Sequence, residues 1–234
     1  MLNNIVFTNT MEILDDFVPK PAFQIVPDWY KNTESYSQDN KVPSGFGTTA
    51  ATIKRCMPVF DALNSGYILV TSTDMWVSHR EDEDGKQIPW YEWSSSPGLE
   101  FHPTEQALFH PAATGNYIPK WMNPWAIKTP PGYSTLFVAP FHRESPFNAL
   151  PGVVDTDKYT APVNIIFVLS NPNFEGLIPA GTPIVQVIPF KREIWKMKFG
   201  KEKDLLEQRK VAIRLKTRFF DAYKNMFRQS KEYR

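Results

Sequence analysis

Ala126-Ile-Lys-Thr-Pro-Pro-Gly-Tyr133 leads directly into Ser134-Thr-Leu-Phe-Val138 near the middle of this chain. The arrangement recurs twice, because Gly152-Val-Val-Asp155 precedes Val163-Asn-Ile-Ile-Phe-Val-Leu169 and because Ile178-Pro-Ala-Gly-Thr-Pro-Ile-Val-Gln186 ends in a third apolar run. Glycine and proline favour tight turns, and short apolar runs bounded by such turns are typical of strands. The spacing therefore predicts a mainly β core, arranged as a barrel or a sandwich.

Composition favours strands and rigid turns over long helices in most of the chain. The 234 residues include 21 Pro against 11 Gly, and within sheets proline is confined to edges and turns. Tyr67-Ile-Leu-Val70 and Met75-Trp-Val77 are predicted to pair as a hairpin across a short polar turn. An aromatic-rich insertion at about residues 78–122 is predicted to pack against the sheet, since large rings bury well.

Three regions are predicted along the chain. Residues 1–50 are expected to form an extended N-terminal arm, residues 51–190 a core with the insertion, and residues 191–234 a basic helical tail. Residues 201–228 contain no Gly or Pro and many helix formers, which predicts a C-terminal α-helix. Its apolar seam is Leu205, Ala212, Leu215, Phe219, Ala222 and Met226.

Charge divides the chain into a basic tail and an acidic body. Residues 191–234 carry 15 Lys or Arg against 6 Asp or Glu, whereas the rest carries 11 against 19. This asymmetry favours docking of the tail on the body, within the chain or between subunits, over binding of nucleic acid. No run approaches the roughly 18 apolar residues of a membrane span, so a cytoplasmic protein without membrane contact is expected.

The single cysteine, Cys56, excludes an internal disulfide bond and a multi-cysteine zinc site. Free cysteine is among the most frequently buried residues, so Cys56 is predicted to be buried in a reducing compartment.

The turns and strands quoted above resemble the dUTPase and dCTP deaminase superfamily, which has the β-clip fold. The resemblance covers about residues 66–190 and implies a distorted barrel that binds a nucleotide. It implies catalytic roles for Asp155 and Asp157 in the Gly-x-x-Asp hairpin, with an aspartate acting as general base. It also implies that Tyr159 packs under the sugar and base, and that His142, Arg143 and Ser145 hold phosphates.

Two departures from the family pattern argue against ordinary triphosphatase chemistry. The family has an acidic residue where this chain has Ile68, and an aliphatic side chain cannot ligate magnesium. The family's glycine-rich C-terminal arm is absent, and the predicted basic helix occupies its place. The sequence therefore predicts a diverged dUTPase-like protein that binds a nucleotide-like ligand or a protein partner.

Two further functions stay open at this point. One is an active nucleotide hydrolase or deaminase with rearranged catalytic groups, and only that function would require Mg²⁺. The other is an oligomeric structural or assembly protein that docks through the C-terminal helix. A homo-oligomer is expected. The cofactor stays unassigned, and no metal ligands are predicted. A minor alternative is a facial-triad iron site whose histidines would be His79 with His110 or His142.

The chain also resembles uncharacterised bacteriophage-encoded proteins, and this second resemblance implies a phage or bacterial origin with no known activity. The matching stretches are Pro27-Asp-Trp-Tyr-Lys31, Cys56-Met-Pro-Val-Phe-Asp61 with Gly66-Tyr67, and Gly152-Val-Val-Asp-Thr-Asp157.

Overall fold

A computed structural model describes residues 3–11, 15–36, 51–106, 117–217 and 222–234. Strands make up 36% of the chain and helices 22%, so the predicted mainly β class is confirmed. The strands are β1 (Val6–Asn9), β2 (Lys20–Pro21), β3 (Tyr67–Val70), β4 (Met75–Glu81), β5 (Gln87–Trp93), β6 (Leu99–Pro103), β7 (Tyr117–Trp121), β8 (Trp125–Lys128), β9 (Tyr133–Val138), β10 (Phe147–Ala149), β11 (Gly152–Val154), β12 (Ile165–Leu169), β13 (Gly176–Ile178) and β14 (Pro183–Lys191). The α-helices are α1 (Asp28–Asn32), α2 (Met57–Asn64), α3 (Glu202–Thr217) and α4 (Ala222–Met226).

The strands form four antiparallel sheets. Their orders are β11-β9-β14-β3-β2, β10-β12-β7-β6, β13-β4-β5 and the pair β1-β8. Within the described ranges the sheets do not close into a barrel. The strands predicted after residue 123 are present as β9, β12 and β14.

Strand β14 is the centre of the five-stranded sheet, with β9 on one side and β3 on the other. Ile68, Leu69, Val185 and Val187 are fully buried there, because this sheet is covered on both faces. Gly66 opens β3 at a φ of +69°, and a Cβ at this position would lie 2.1 Å from the carbonyl oxygen of Val187. Only glycine permits this close approach of the two backbones.

The predicted hairpin between residues 67–70 and 75–77 is wrong. Strand β3 pairs with β14 and β2, whereas β4 pairs with β5 and β13 in another sheet. Polar turn residues follow β3 whether it pairs with β4 or with β14, so the local pattern did not identify its partner. That partner lies more than 100 residues away along the chain. The hairpin that does form joins β4 to β5 through the charged turn at residues 82–86.

Contacts divide the structure into two units, each made from two pieces of chain. Unit 1 contains Met1–Ile25 and Gly66–Arg192, and unit 2 contains Val26–Ser65 and Glu193–Arg234. The predicted boundaries after residues 50 and 190 stay predictions drawn from composition. In unit 1, β1 pairs with β8 and β2 with β3, so part of the expected arm contributes to sheets.

Unit 2 is helical, and its two pieces are joined by an ion-pair cluster. Asp61 on α2 accepts hydrogen bonds from the Arg228 guanidinium at 2.8 Å and the Lys231 ammonium at 2.9 Å. Burial alone would raise the pKa of Asp61, but these two cations outweigh it and the pKa is lowered. The helix predicted at residues 201–228 is confirmed over Glu202–Thr217 and Ala222–Met226, while Phe219 lies outside the described residues.

Cys56 is exposed, so the prediction that it is buried is wrong. It precedes α2, whose first turn contains Pro58, and Phe60 donates its backbone N–H to the Cys56 carbonyl. Its position at the start of a short helix therefore leaves the thiol exposed, although free cysteines are usually buried.

Ile68→Ala should lower the free energy of unfolding of unit 1 by about 2–5 kcal/mol, because it removes a fully buried side chain and leaves a cavity. Urea denaturation measures the change. The matched control is Val153→Ala on β11, where the side chain is exposed and the expected change is within about 0.5 kcal/mol. Equal losses in both variants would contradict the assignment of Ile68 to the core.

Candidate functional site

Asp157 is an enclosed residue of the predicted site. Its side chain is only 5% exposed, in the turn that follows β11. Its carboxylate accepts a hydrogen bond from the backbone N–H of Gly132 at 2.8 Å, and Gly132 has a φ of +86° in the Pro-Pro-Gly turn. The two turns that the sequence singled out are therefore joined by this carboxylate.

Arg192 supplies the remaining partners of Asp157. It follows β14 directly, and its guanidinium donates to the two carboxylate oxygens of Asp157 at 2.9 and 2.5 Å. This two-point geometry suits a planar guanidinium and a carboxylate. The backbone N–H of Arg192 also donates to the Gly132 carbonyl at 2.8 Å, so one residue ties the end of β14 to both turns.

Asp155 belongs to the same cluster but is more exposed. Its carboxylate accepts from the Ser134 hydroxyl at 2.6 Å and from the Arg192 guanidinium at 3.2 Å. Arg192 additionally donates to the Tyr133 carbonyl at 2.8 Å. We refer to Asp155, Asp157, Ser134 and Arg192 as the arginine clasp.

A row of threonine hydroxyls fixes the turn on which the two aspartates lie. Thr156 is fully buried between them, and its hydroxyl lies 2.8 Å from those of Thr129 and Thr135. Thr156 also accepts a backbone hydrogen bond from Thr129 at 3.2 Å. Because these polar groups satisfy one another, the turn can be buried without a desolvation penalty from unpaired hydroxyls.

The arginine clasp makes Asp157 a poor general base. Hydrogen bonding from Arg192, and then from the Gly132 N–H, lowers the pKa of Asp157 to about 2. A general base works best with a pKa near the operating pH, and both oxygens of this carboxylate are already occupied. In turn, the hydrogen bond with Asp157 raises the pKa of Arg192.

The residues predicted to hold phosphates lie elsewhere. The Arg143 guanidinium donates to the Ile25 carbonyl, and burial lowers the pKa of Arg143. The Ser145 hydroxyl accepts from the Phe147 N–H at 3.3 Å, and His142 is exposed with a φ of +53°. Across the described residues, no ion pair joins Arg143 to Asp155 or Asp157, so the structure groups the aspartates with Arg192.

Tyr159 is half exposed, and its backbone N–H donates to the Asp155 carbonyl at 2.8 Å.

Arg192 was not among the site residues predicted from the sequence. It appeared only as one of many basic residues in the tail, and its pairing depends on strand β14 lying beside β9, which no local pattern reveals.

An aromatic groove in unit 1 offers the space that the arginine clasp lacks. The groove has a volume of about 380 Å³ and lies between the edge strand β5 and strands β6 and β7. Its lining residues are Ile88, Pro89, Trp90, Tyr91, Trp93, Phe101 and Tyr117. The sequence analysis expected these rings to be packed against the sheet, whereas Trp90, Trp93, Phe101 and Tyr117 are partly exposed.

Polar groups at the groove's rim hold the Trp90 ring in place. The Arg80 guanidinium lies 3.9 Å from the centre of that ring, within the range of a cation–π contact. Glu92 accepts from the Arg80 guanidinium at 3.1 Å and from the Trp90 indole N–H at 3.3 Å. The exposed ring is therefore oriented by two neighbours on the same hairpin. Burial raises the pKa of Tyr91, the next residue along β5.

A second hollow of about 160 Å³ shares Ile88, Pro89, Tyr91 and Tyr117 with the aromatic groove. It adds polar side chains from His79, Gln87 and Asn173. His79 is held by Glu175 at 3.1 Å and by the Pro172 carbonyl at 2.9 Å.

No three His, Cys, Asp or Glu side chains gather into a metal site among the residues described, and His110 of the facial-triad alternative lies outside them. In the same ranges, no helix has both the length and the apolar character needed to span a bilayer.

No protein-family model matches the chain. A search of curated proteins also finds no match.

Asp157→Asn should lower the melting temperature by several degrees at pH 7, because it removes the charge that Arg192 and Gly132 bind. The pKa of Asp157 is depressed from 3.8 to about 2, so its stabilisation is present above pH 4 and is lost as the pH falls through 2. The difference between wild type and Asp157→Asn should therefore shrink between pH 4 and pH 2. Thermal unfolding across this range measures it.

The matched control is Asp84→Asn, which changes an exposed aspartate at the tip of the β4–β5 hairpin. It should leave the melting temperature unchanged across the pH range. A pH-independent loss of stability in Asp157→Asn would contradict the assigned ionisation.

Proposed function

We propose that this chain is a diverged dUTPase-like β-clip protein, of phage or bacterial origin, that binds a nucleotide-like ligand and performs no ordinary triphosphatase chemistry. The aromatic groove carries this proposal. The base of the ligand would lie in the groove, rather than against the residues from which the resemblance implied binding.

The dimensions and lining of the groove support binding of a flat ring. Ligand pockets typically have volumes of about 300–1,000 Å³ and are lined mainly by apolar and aromatic side chains with a few polar groups. The groove's 380 Å³ and its five aromatic rings fit this description. Stacking of a base on an aromatic ring contributes about 1–3 kcal/mol and tolerates different bases. Trp90 is the best placed for stacking because Arg80 and Glu92 already orient it.

Two features support the absence of ordinary triphosphatase chemistry. Ile68 is fully buried in the core of the five-stranded sheet, where a carboxylate would be severely desolvated. The carboxylates of the Gly-x-x-Asp hairpin are bound by Arg192, and the low pKa of Asp157 makes it a weak proton acceptor. The Gly-x-x-Asp hairpin then has a structural role, because its aspartates hold the turns together. This role uses the residues of the motif without any catalysis.

Nucleosides and deoxynucleotides should bind to the purified chain and quench its tryptophan fluorescence. Trp90→Ala should weaken this binding by about tenfold or more, since one stacking ring is lost. The matched control is Trp76→Ala, because Trp76 is similarly exposed but does not line the groove. Isothermal titration calorimetry provides the affinities.

If no nucleoside or deoxynucleotide binds, or if Trp76→Ala weakens binding as much as Trp90→Ala does, the groove is not a base-binding site. Binding that survives Trp90→Ala but is lost in Tyr159→Ala would instead favour the site implied by the family resemblance.

Incubation with Mg²⁺ and each deoxynucleoside triphosphate should leave every substrate unchanged, as measured by chromatography of the products. The physical reason is that the carboxylates of the arginine clasp already accept hydrogen bonds from Ser134 and Arg192. Turnover that is abolished by Asp155→Asn would establish the alternative function, that of a hydrolase or deaminase with rearranged groups. A contaminating activity is recognised because it would be equal in wild type and Asp155→Asn.

A further inference from the structure

The segment between β14 and α3 exposes four large apolar side chains. Residues 193–199, which we call the linker strand, have the sequence Glu193-Ile-Trp-Lys-Met-Lys-Phe199 and form neither helix nor sheet. The exposed fractions are 103% for Ile194, 85% for Trp195, 81% for Met197 and 88% for Phe199. Contiguous apolar surface of this kind marks an interaction site in soluble proteins.

The sequence of the linker strand has the pattern of a half-buried β-strand. Trp195, Met197 and Phe199 alternate with Lys196 and Lys198, which places the apolar side chains on one face and the ammonium groups on the other when the backbone is extended. A sequence that alternates in this way requires a partner for its apolar face. No neighbour among the described residues covers Trp195, Met197 or Phe199, the side chains of that face.

We propose that the linker strand docks on unit 1 of a second copy of this chain. Charge complementarity supports this partner, because residues 191–234 carry a net charge of +9 and the rest of the chain carries −8. Two basic tails repel each other, whereas a tail and the acidic body of another copy attract. Each copy has both surfaces, so two copies can engage reciprocally about a two-fold axis.

The buried area is sufficient for a stable dimer. Large aromatic side chains bury about 150–250 Å² each, so the apolar face of one linker strand covers roughly 500 Å². Two reciprocal contacts, counted on both partners, bury on the order of 2,000 Å². This area exceeds the lower limit of about 1,200 Å² for specific stable interfaces.

The receiving surface is a shallow groove beside β13, with a volume of about 420 Å³. Its lining residues are Glu144, Ser145, Pro146, Phe174, Leu177, Pro179 and Thr182. Phe174, Leu177 and the prolines provide an apolar floor, and the exposed Glu144 adds a negative charge to the lining. The groove includes Ser145, which the family resemblance had assigned to phosphate.

The position of β13 in its sheet supports addition of a strand. Among the described residues, β13 lies at the edge of the order β13-β4-β5 and pairs with β4 alone. An edge strand presents unpaired backbone groups to an incoming extended segment, and side chains that enter neighbouring pockets give such binding its specificity. The linker strand offers an extended backbone and apolar side chains for the groove, with its lysines on the opposite face.

Sedimentation velocity of the full chain from about 1 to 100 µM tests this proposal. Wild type should form a dimer whose affinity falls as salt rises, because part of the attraction is between exposed charges. Trp195→Ser with Phe199→Ser should raise the dissociation constant by more than about tenfold. The matched control is Leu206→Ser, which removes a half-exposed apolar side chain from α3 and should leave the dimer intact.

A substitution in the groove tests the receiving surface. Leu177→Asp should weaken the dimer by more than about tenfold, because it places a charge on the apolar floor. A wild-type chain that is monomeric at every concentration, a dimer unaffected by the linker-strand substitutions, or a dimer unaffected by Leu177→Asp would overturn the proposal. Nucleoside binding by the same variants should match wild type, so failure here is distinguishable from failure of the ligand-binding proposal.

Discussion

The contact between the Arg192 guanidinium and the Asp157 carboxylate is the interaction on which the organisation of unit 1 depends. It joins the end of the central strand β14 to the turn after β11, and through the Gly132 N–H it includes the turn before β9. Two turns and a strand end that are far apart in sequence thereby meet at one end of the five-stranded sheet. A paired and hydrogen-bonded carboxylate can be enclosed in this way, whereas an unpaired one would be driven to protonate.

The same contacts give two of the sequence motifs a structural explanation that involves no catalysis. The Gly-x-x-Asp hairpin and the Pro-Pro-Gly turn that suggested a nucleotide enzyme are both present as turns, and each is explained by the hydrogen bonds that it makes within the fold. Side chains available to a ligand lie instead along β5 and its neighbours, where indole and phenol rings are left partly uncovered. A resemblance at the level of the fold therefore does not determine the chemistry of the site.

The sequence predicted what short-range physics determines and missed what depends on distant pairing. Turn residues bounding apolar runs located β9, β12 and β14, and the absence of Gly and Pro located α3. The partner of β3 could not be found in this way, because its four residues form a continuous apolar run that is equally compatible with pairing to β4 and to β14. The exposure of Trp90 was missed for a related reason, since a ring on an edge strand reads like a ring in a core until the neighbouring sheet is known.

The division of each unit into two pieces of chain has a consequence for synthesis on the ribosome. Residues 26–65 emerge first, but the rest of unit 2 begins at Glu193, and Arg228, the cation that binds Asp61, is made 167 residues after it. Unit 1 likewise lacks its central strand until β14 has been translated. Neither unit can be completed before β14 has been made, so the nascent chain must remain unaggregated until that point.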